Sequence, residues 1–88
     1  MATIEIYSSP LCGYCYRAKQ LLNDKRKPFT EINVLMDGKR RKEMMSRANG
    51  GHTVPQIFIN DMHVGGCDEL FALEQSGELD TLLAEASL

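Results

Sequence analysis

The opening third of the chain constrains the fold most, because it alternates between two kinds of hydrophobic periodicity. Residues 3–7 alternate apolar and polar side chains, which predicts a strand. Residues 13–25 carry apolar side chains at helical spacing, and the basic run before Pro28 ends that pattern. Residues 29–34 alternate again. A strand, a helix and a strand in this order predict two parallel strands joined by a right-handed crossover.

The middle of the chain predicts a helix followed by a hairpin. Asp37 is a candidate N-cap, and the Asn-Gly-Gly of residues 49–51 ends the helical pattern. Two strand patterns follow at 54–60 and 62–66. They meet at Asn60 and Asp61, two residue types that tolerate positive φ in a tight turn. A hairpin of this kind is antiparallel.

The last part of the chain predicts two helices. The first spans residues 67–76, with acidic residues in its first turn and Gly77 as its stop. The second carries apolar residues at i, i+3, i+4 and i+7, namely Leu79, Leu82, Leu83 and Ala86. The full order is β-α-β-α-β-β-α-α. It predicts a single α/β domain over residues 1–88, with a four-stranded mixed sheet flanked by helices.

Composition excludes several classes of function. The formal net charge is −2 and 25% of residues are charged, so no basic excess points to nucleic acid or to an anionic membrane surface. No apolar run approaches the ~20 residues of a membrane span, and the first residues lack the pattern of a signal peptide. We therefore expect a cytoplasmic protein.

Two cysteines, Cys12 and Cys15, are the candidate reactive groups. Three cysteines are too few for a disulfide framework. Cys12 directly precedes the predicted first helix, where unpaired N–H groups and the helix dipole stabilise a thiolate. Cys15 lies one turn further, on the apolar face, and is expected to be more buried. An exposed nucleophile beside a buried partner is the arrangement that thiol–disulfide exchange requires.

Two other interpretations of the pair stay open at this point. Both cysteines could be small packing residues in the core. They could also form half of a zinc site, for which Cys67, His52 and His63 are the remaining candidate ligands. A second C-x-x-C or a paired histidine motif is missing, so the zinc signal is weak.

Three motifs together resemble the glutaredoxin family. C-G-Y-C follows the first strand, T-V-P-Q-I-F-I precedes the hairpin, and G-G-C-D-E-L opens the third helix. The resemblance covers essentially the whole chain and is strongest to short bacterial dithiol members. It implies a thioredoxin-like fold, a monomer, and disulfide reduction with glutathione as electron donor. It also implies that Cys12 attacks and becomes glutathionylated, and that Cys15 resolves mixed disulfides with protein substrates such as ribonucleotide reductase.

The resemblance further implies a glutathione site. The backbone of Val54, before a cis Pro55, would pair with the cysteinyl unit of glutathione. The first N–H groups of the third helix would accept a carboxylate, and Asp68 would pair with an ammonium group. The full predicted set is Tyr14, Thr53, Val54, Pro55, Gly66, Cys67 and Asp68. Arg41 or Lys42 would reach the glycine carboxylate.

Plainer interpretations accompany each of these features. A strand can simply begin with Pro55, and Gly65–Gly66 can be an ordinary turn with Asp68 as a helix cap. Cys67 is expected to be a packing residue whose position at a helix start still exposes it to oxidation or glutathionylation. His63 is expected to be an exposed strand residue.

Three positions depart from the family pattern. Ser9 stands where relatives usually carry lysine, and His52 where they often carry arginine, so His52 is a candidate pH-dependent substitute. Gly13 replaces a usual proline and loosens the turn between the two cysteines. Some glutaredoxin relatives with a small residue there hold a [2Fe–2S] cluster between two subunits. This resemblance keeps an iron–sulfur carrier, with Cys12 and glutathione as ligands, as the alternative function.

Overall fold

The computed structural model describes residues 3–85 and confirms the predicted order of elements. The strands and helices are β1 Ile4–Ser8, α1 Gly13–Asp24, β2 Thr30–Asn33, α2 Gly38–Arg47, β3 Gln56–Ile59, β4 Met62–Gly65, α3 Cys67–Ser76 and α4 Glu78–Glu85. Ala86, expected on the last apolar stripe, lies outside the described residues. No helix within residues 3–85 is long and apolar enough to cross a membrane.

The four strands form one mixed sheet in the order β2-β1-β3-β4. β1 and β2 are parallel, with Ser8 opposite Asn33, whereas β1–β3 and β3–β4 are antiparallel. Asn60 and Asp61 form the hairpin turn with φ of 52° and 65°, as predicted. Because parallel strands end at the same edge, the segments after β1 and β2 lie together at one end of the sheet.

One face of the sheet, here called the aliphatic face, packs under α1, α3 and α4. Phe29, just before β2, packs against this face. Its buried cluster is entirely aliphatic and comprises Ile4, Ile6, Ala18, Leu21, Leu22, Ile57, Ile59, Leu70, Leu79 and Leu83. The strand residues on it are two apart, which is the period that sends side chains to one side of a sheet.

The opposite face, here called the mixed face, packs under α2. Its buried cluster contains Tyr7, Val34, Met44, Ala48 and Phe58, with Ile32 packed at its margin. Aromatic rings and one methionine fill the space that several aliphatic side chains fill on the other side. The mixed face therefore has a smaller apolar core beneath a single short helix.

The helix ends follow local chemistry, with one correction. Asp37 caps α2, its Oδ1 accepting from the N–H of Arg40 at 3.0 Å, and Gly77 ends α3 with φ of 83°. The first helix was expected to run to Lys25, but it ends at Asp24 with Lys25 as C-cap. The reason is that Arg26 adopts a φ of 58°, which turns the chain out of the helix one residue early.

Candidate active site

Cys12 is the N-cap residue of α1, as the sequence predicted. Its backbone is extended (φ −104°, ψ 109°), and its Sγ accepts a hydrogen bond from the N–H of Cys15 at 3.0 Å. The thiol also donates to the carbonyl oxygen of Val54 at 3.5 Å. The side chain is half-buried. The sulfur therefore faces the first N–H groups of α1 at the positive end of the helix dipole.

Cys15 has the opposite environment. It is completely buried, at 0% exposure, as the helical pattern predicted. Burial raises the pKa of its thiol to about 12, the neighbouring Cys12 thiol adds to that rise, and the backbone of Ser9 together with Lys19 opposes it. Cys15 is therefore held as a neutral thiol while Cys12 remains accessible, and all three cysteines are free.

A cleft of about 320 Å³ opens next to Cys12, which does not line it but contacts the wall residue Val54. Its walls come from the first turn of α1, the loop before β3 and the turn between β4 and α3. The lining residues are Tyr14, Thr53, Val54, Pro55, Gly66, Cys67, Asp68 and Glu69. All seven residues predicted to contact glutathione are thus brought together, although they come from three separate stretches of the chain. Their contact with a ligand stays a prediction.

The loop wall of the cleft contains the Val54–Pro55 peptide bond, which is cis. Pro55 is buried and directly precedes β3. The guanidinium of Arg41 donates to the carbonyl of His52 at 3.1 Å. Arg41 therefore brings a positive charge to the residue that precedes Thr53, at the margin of the cleft.

The wall formed by the turn between β4 and α3 depends on Glu69, a residue that the sequence analysis did not identify. Glu69 accepts a hydrogen bond from the N–H of Gly66 at 2.6 Å and so caps α3. Asp68, the helix cap of the plainer interpretation, is instead exposed on the cleft. Gly65 has a φ of 118°, and a Cβ there would lie 2.8 Å from the Glu69 carboxylate. A glutamate three residues after a helix start is a capping signal that could have been recognised.

Cys67 is a buried residue at the start of α3, only 5% exposed. Burial raises the pKa of its thiol, with Arg17 opposing that rise. The expectation of a packing residue is confirmed in its burial. A buried, protonated thiol is a poor target for oxidants, so its oxidation is disfavoured relative to that of Cys12.

The three departures from the family pattern have different surroundings. Ser9 shapes the turn before α1, its carbonyl accepting from the N–H of Cys12 at 3.2 Å. His52 is exposed. A Cβ added to Gly13 would meet no atom within 4 Å, so this site has room for a larger residue. The glycine is therefore not required by local packing.

The zinc interpretation finds no support in the described part of the chain. Within residues 3–85, no three His, Cys, Asp or Glu side chains converge as metal ligands. His63 instead approaches Gln56, with 2.6 Å between Nε2 and Oε1. In the [2Fe–2S] alternative, Cys12, glutathione and the corresponding cysteine of a second chain would be the ligands, as the family resemblance implies. That alternative stays a prediction.

The fold and this geometry define a class of protein, the thiol–disulfide oxidoreductases with a thioredoxin-like fold. An accessible helix-capping thiol, a buried thiol one turn later and a cleft beside them carry that assignment. A family model for glutaredoxin matches residues 4–64. The chain belongs to the glutaredoxin family and is a glutathione-dependent disulfide oxidoreductase.

Known relatives match the chain along nearly its full length. It is 49% identical to Glutaredoxin 3 of Escherichia coli (strain K12), over 94% of this chain and 99% of the relative. The solution structure of glutaredoxin from Brucella melitensis has a TM-score of 0.82 and 51% identity, covering 94% of this chain and 89% of that one. A buckwheat glutaredoxin–glutathione complex has a TM-score of 0.87 and 27% identity, covering 98% and 80%.

Proposed function

We propose that this protein reduces glutathione mixed disulfides and protein disulfides, with Cys12 as nucleophile and Cys15 as resolving thiol. One observation carries the proposal: the accessible sulfur of Cys12 contacts Val54, a wall residue of the cleft that all seven residues of the predicted glutathione set line. Protein disulfides, including that of ribonucleotide reductase, are the second substrate class, as the family resemblance implies.

Reduction of a glutathionylated protein takes two exchange steps. The Cys12 thiolate attacks the glutathione sulfur, a Cys12–glutathione disulfide forms, and the protein thiolate leaves and takes a proton from solvent. A second glutathione, as thiolate, then attacks the glutathione sulfur bound to Cys12. Glutathione disulfide forms and the Cys12 thiolate is regenerated. One free glutathione is consumed for each protein thiol released, because the other half of the glutathione disulfide comes from the adduct, where its sulfur is already in a disulfide.

Reduction of a protein disulfide uses both cysteines. Cys12 attacks one substrate sulfur and forms a mixed disulfide, releasing the other as a thiolate. Cys15 then loses its proton and attacks the Cys12 sulfur, so that the substrate leaves fully reduced and a Cys12–Cys15 disulfide remains. Two glutathiones reduce that disulfide. The high pKa of Cys15 keeps it from competing with Cys12 for the first attack.

The cleft offers complementary groups for each part of glutathione. The backbone of Val54 suits the peptide core of the ligand, in the manner of strand addition. The start of α3 suits the γ-glutamyl carboxylate, and exposed Asp68 suits its ammonium group. Arg41, held at His52, suits the glycine carboxylate, with Lys42 as the neighbouring cation.

The test compares Cys12→Ser and Cys15→Ser in a glutathione-coupled reductase assay with a glutathionylated peptide and with a protein disulfide. Cys12→Ser should abolish turnover of both substrates. Cys15→Ser should retain turnover of the glutathionylated peptide and lose most turnover of the protein disulfide. Brief treatment of the wild type with iodoacetamide should label Cys12 and spare Cys15 and Cys67, as read by mass spectrometry. Full activity of Cys12→Ser would remove the nucleophile assignment.

A further inference from the structure

Gln56 is an unusual residue for its position. It opens β3, whose four residues are all buried, and its side chain is only 5% exposed. Ser8 and Gln56 are the buried polar residues in the described part of the chain. Burying a primary amide is costly unless its donors and its acceptor find partners. The partners of Gln56 therefore indicate what the residue does.

The Gln56 amide accepts a hydrogen bond on one side and donates on the other. Its Nε2 donates to the carbonyl oxygen of Thr53 at 3.0 Å and lies 3.4 Å from the Thr53 hydroxyl. Since a carbonyl oxygen only accepts, the amide nitrogen must face Thr53 and Oε1 must face His63. The 2.6 Å contact then requires that Nε2 of His63 carry the hydrogen. The chain of donors runs from His63 through Gln56 to Thr53.

Both members of this chain are held in place by packing. The His63 ring lies against Phe58, with 5.0 Å between centroids and 30° between planes, and Phe58 is 1% exposed. Gly51 leaves the space for the Gln56 amide, because a Cβ there would lie 3.1 Å from Nε2. His63 is exposed, as the sequence analysis expected, but its ring contact with Phe58 holds it against the buried Gln56.

The supported atom belongs to the cleft wall. The carbonyl of Thr53 and the N–H of Val54 are the two ends of one peptide group, which is trans because the cis bond lies one residue later. In a trans peptide these two groups point in opposite directions. Fixing the carbonyl from the buried side directs the Val54 N–H away from Gln56. The next carbonyl, that of Val54, accepts from Cys12.

We infer that Gln56 and His63 are positioning residues that set the orientation of the Thr53–Val54 peptide for its ligand. This inference rests on the proposed function, in which the backbone of Val54 binds glutathione. Neither side chain lines the cleft, so both act through the peptide that does. Their loss should weaken glutathione binding and leave the reactivity of Cys12 intact.

The test uses three variants of the full chain. His63→Phe keeps a ring against Phe58 but removes the donor, His63→Gln keeps a donor at the place of Nε2, and Gln56→Met replaces the amide with an apolar side chain of similar length. Met62→Gln, at the exposed neighbour of His63 on β4, is the matched control. Readouts are the apparent KM for glutathione, kcat, the rate of Cys12 alkylation, and the amide ¹⁵N–¹H resonance of Val54.

His63→Phe and Gln56→Met should each raise the KM for glutathione about five-fold, the effect of one ordinary hydrogen bond. They should also shift the Val54 amide resonance while the alkylation rate of Cys12 stays unchanged. His63→Gln should recover most of the affinity. The double variant of His63→Phe and Gln56→Met should have a KM no higher than either single variant, because both residues act through the same series of hydrogen bonds.

An unchanged KM and Val54 resonance in His63→Phe would overturn the inference. A rise in KM that comes with an equal fall in kcat and a lower melting temperature, and that His63→Gln does not reverse, would also overturn it. That pattern is expected of a merely structural role. If the wild type lacked saturable dependence on glutathione, the proposed function would fail instead. The Val54 resonance would still report whether the pair orients the peptide.

Discussion

The two faces of the sheet solve the packing problem differently. The aliphatic face is covered by three helices and excludes polar side chains from its centre. The mixed face is covered by α2 alone, and charged groups complete it. The guanidinium of Arg47 binds both Glu5 oxygens at 2.9 and 3.3 Å and the Tyr7 hydroxyl at 2.8 Å, and lies 4.1 Å above the Phe58 ring.

The two faces therefore differ in what they contribute: the aliphatic face contributes mainly to stability, and the mixed face also contacts the active-site cleft. Fully apolar packing gains free energy from buried area but offers no directional contact to a loop. The mixed face has directional contacts, and one line of them, from His63 through Gln56, reaches the cleft. We therefore expect the aliphatic face to dominate unfolding and the mixed face to influence ligand binding.

The largest expected effect on stability comes from deleting a side chain on the aliphatic face. Leu22 is 0% exposed there, and Leu22→Ala should lower the free energy of unfolding by about 3 kcal/mol, because three helices cannot close on the cavity. Met44→Ala, equally buried on the mixed face, should cost about 2 kcal/mol, since a single helix can relax. Urea denaturation measures both, with Leu35→Ala, at 44% exposure, as the control. A larger loss of unfolding free energy in Met44→Ala than in Leu22→Ala would contradict the expectation that the aliphatic face dominates stability.

A smaller effect is expected from the charged part of the mixed face. Arg47→Met should lower the free energy of unfolding by about 1–2 kcal/mol, because it leaves Glu5 and the Tyr7 hydroxyl without their donor. The Arg47 side chain is 25% exposed, which keeps the loss below that of a fully buried pair.

A double-mutant cycle with Glu5→Gln tests whether this loss comes from the pair itself. The coupling measured by urea denaturation should be about 1 kcal/mol. Additive losses would show that the stacking of Arg47 on Phe58, and not the ion pair, stabilises this face.

Much of the fold could be predicted because it depends on local signals. Alternation located the strands, Asp37 and Gly77 marked helix ends, and Asn60–Asp61 marked the hairpin, each through a conformation that the residue itself favours. The end of α1 was missed by one residue. Arginine does not favour positive φ as glycine or asparagine does, so its residue type gave no signal; backbone bonds from the N–H groups of Arg26 to Asn23 and of Lys27 to Leu22 close the helix there.

The sequence predicted the reactive thiols of the site but only some of the residues that hold the cleft in place. Cys12 and Cys15 follow from spacing on one helix, and the cleft residues followed from family resemblance. Glu69 was overlooked although its spacing from Gly66 is a local capping signal. The contact of His63 with Gln56 depends instead on the register in which β3 and β4 pair, and such a pairing leaves no periodic trace in a single sequence.

The smallest expected effect concerns Glu31, whose carboxylate lies beside α1 on the aliphatic side. Lys19, at 2.8 Å, and the Ser8 hydroxyl, at 2.6 Å, lower the pKa of Glu31 below its usual 4.5. The unfolded chain then binds a proton more readily than the folded one. The stability that Glu31 contributes is therefore present above about pH 4.5 and is lost as pH falls through the lowered pKa.

Glu31→Gln should flatten this acid-side slope of unfolding free energy against pH, measured by urea denaturation between about pH 6 and pH 3. Because the side chain is 42% exposed, solvent screening should keep the change below about 1 kcal/mol. Lys19→Met keeps the carboxylate but removes its main partner, and should flatten the slope in the same way. A Glu31→Gln curve parallel to that of the wild type would mean that the contacts of Glu31 with Lys19 and Ser8 contribute no measurable stability.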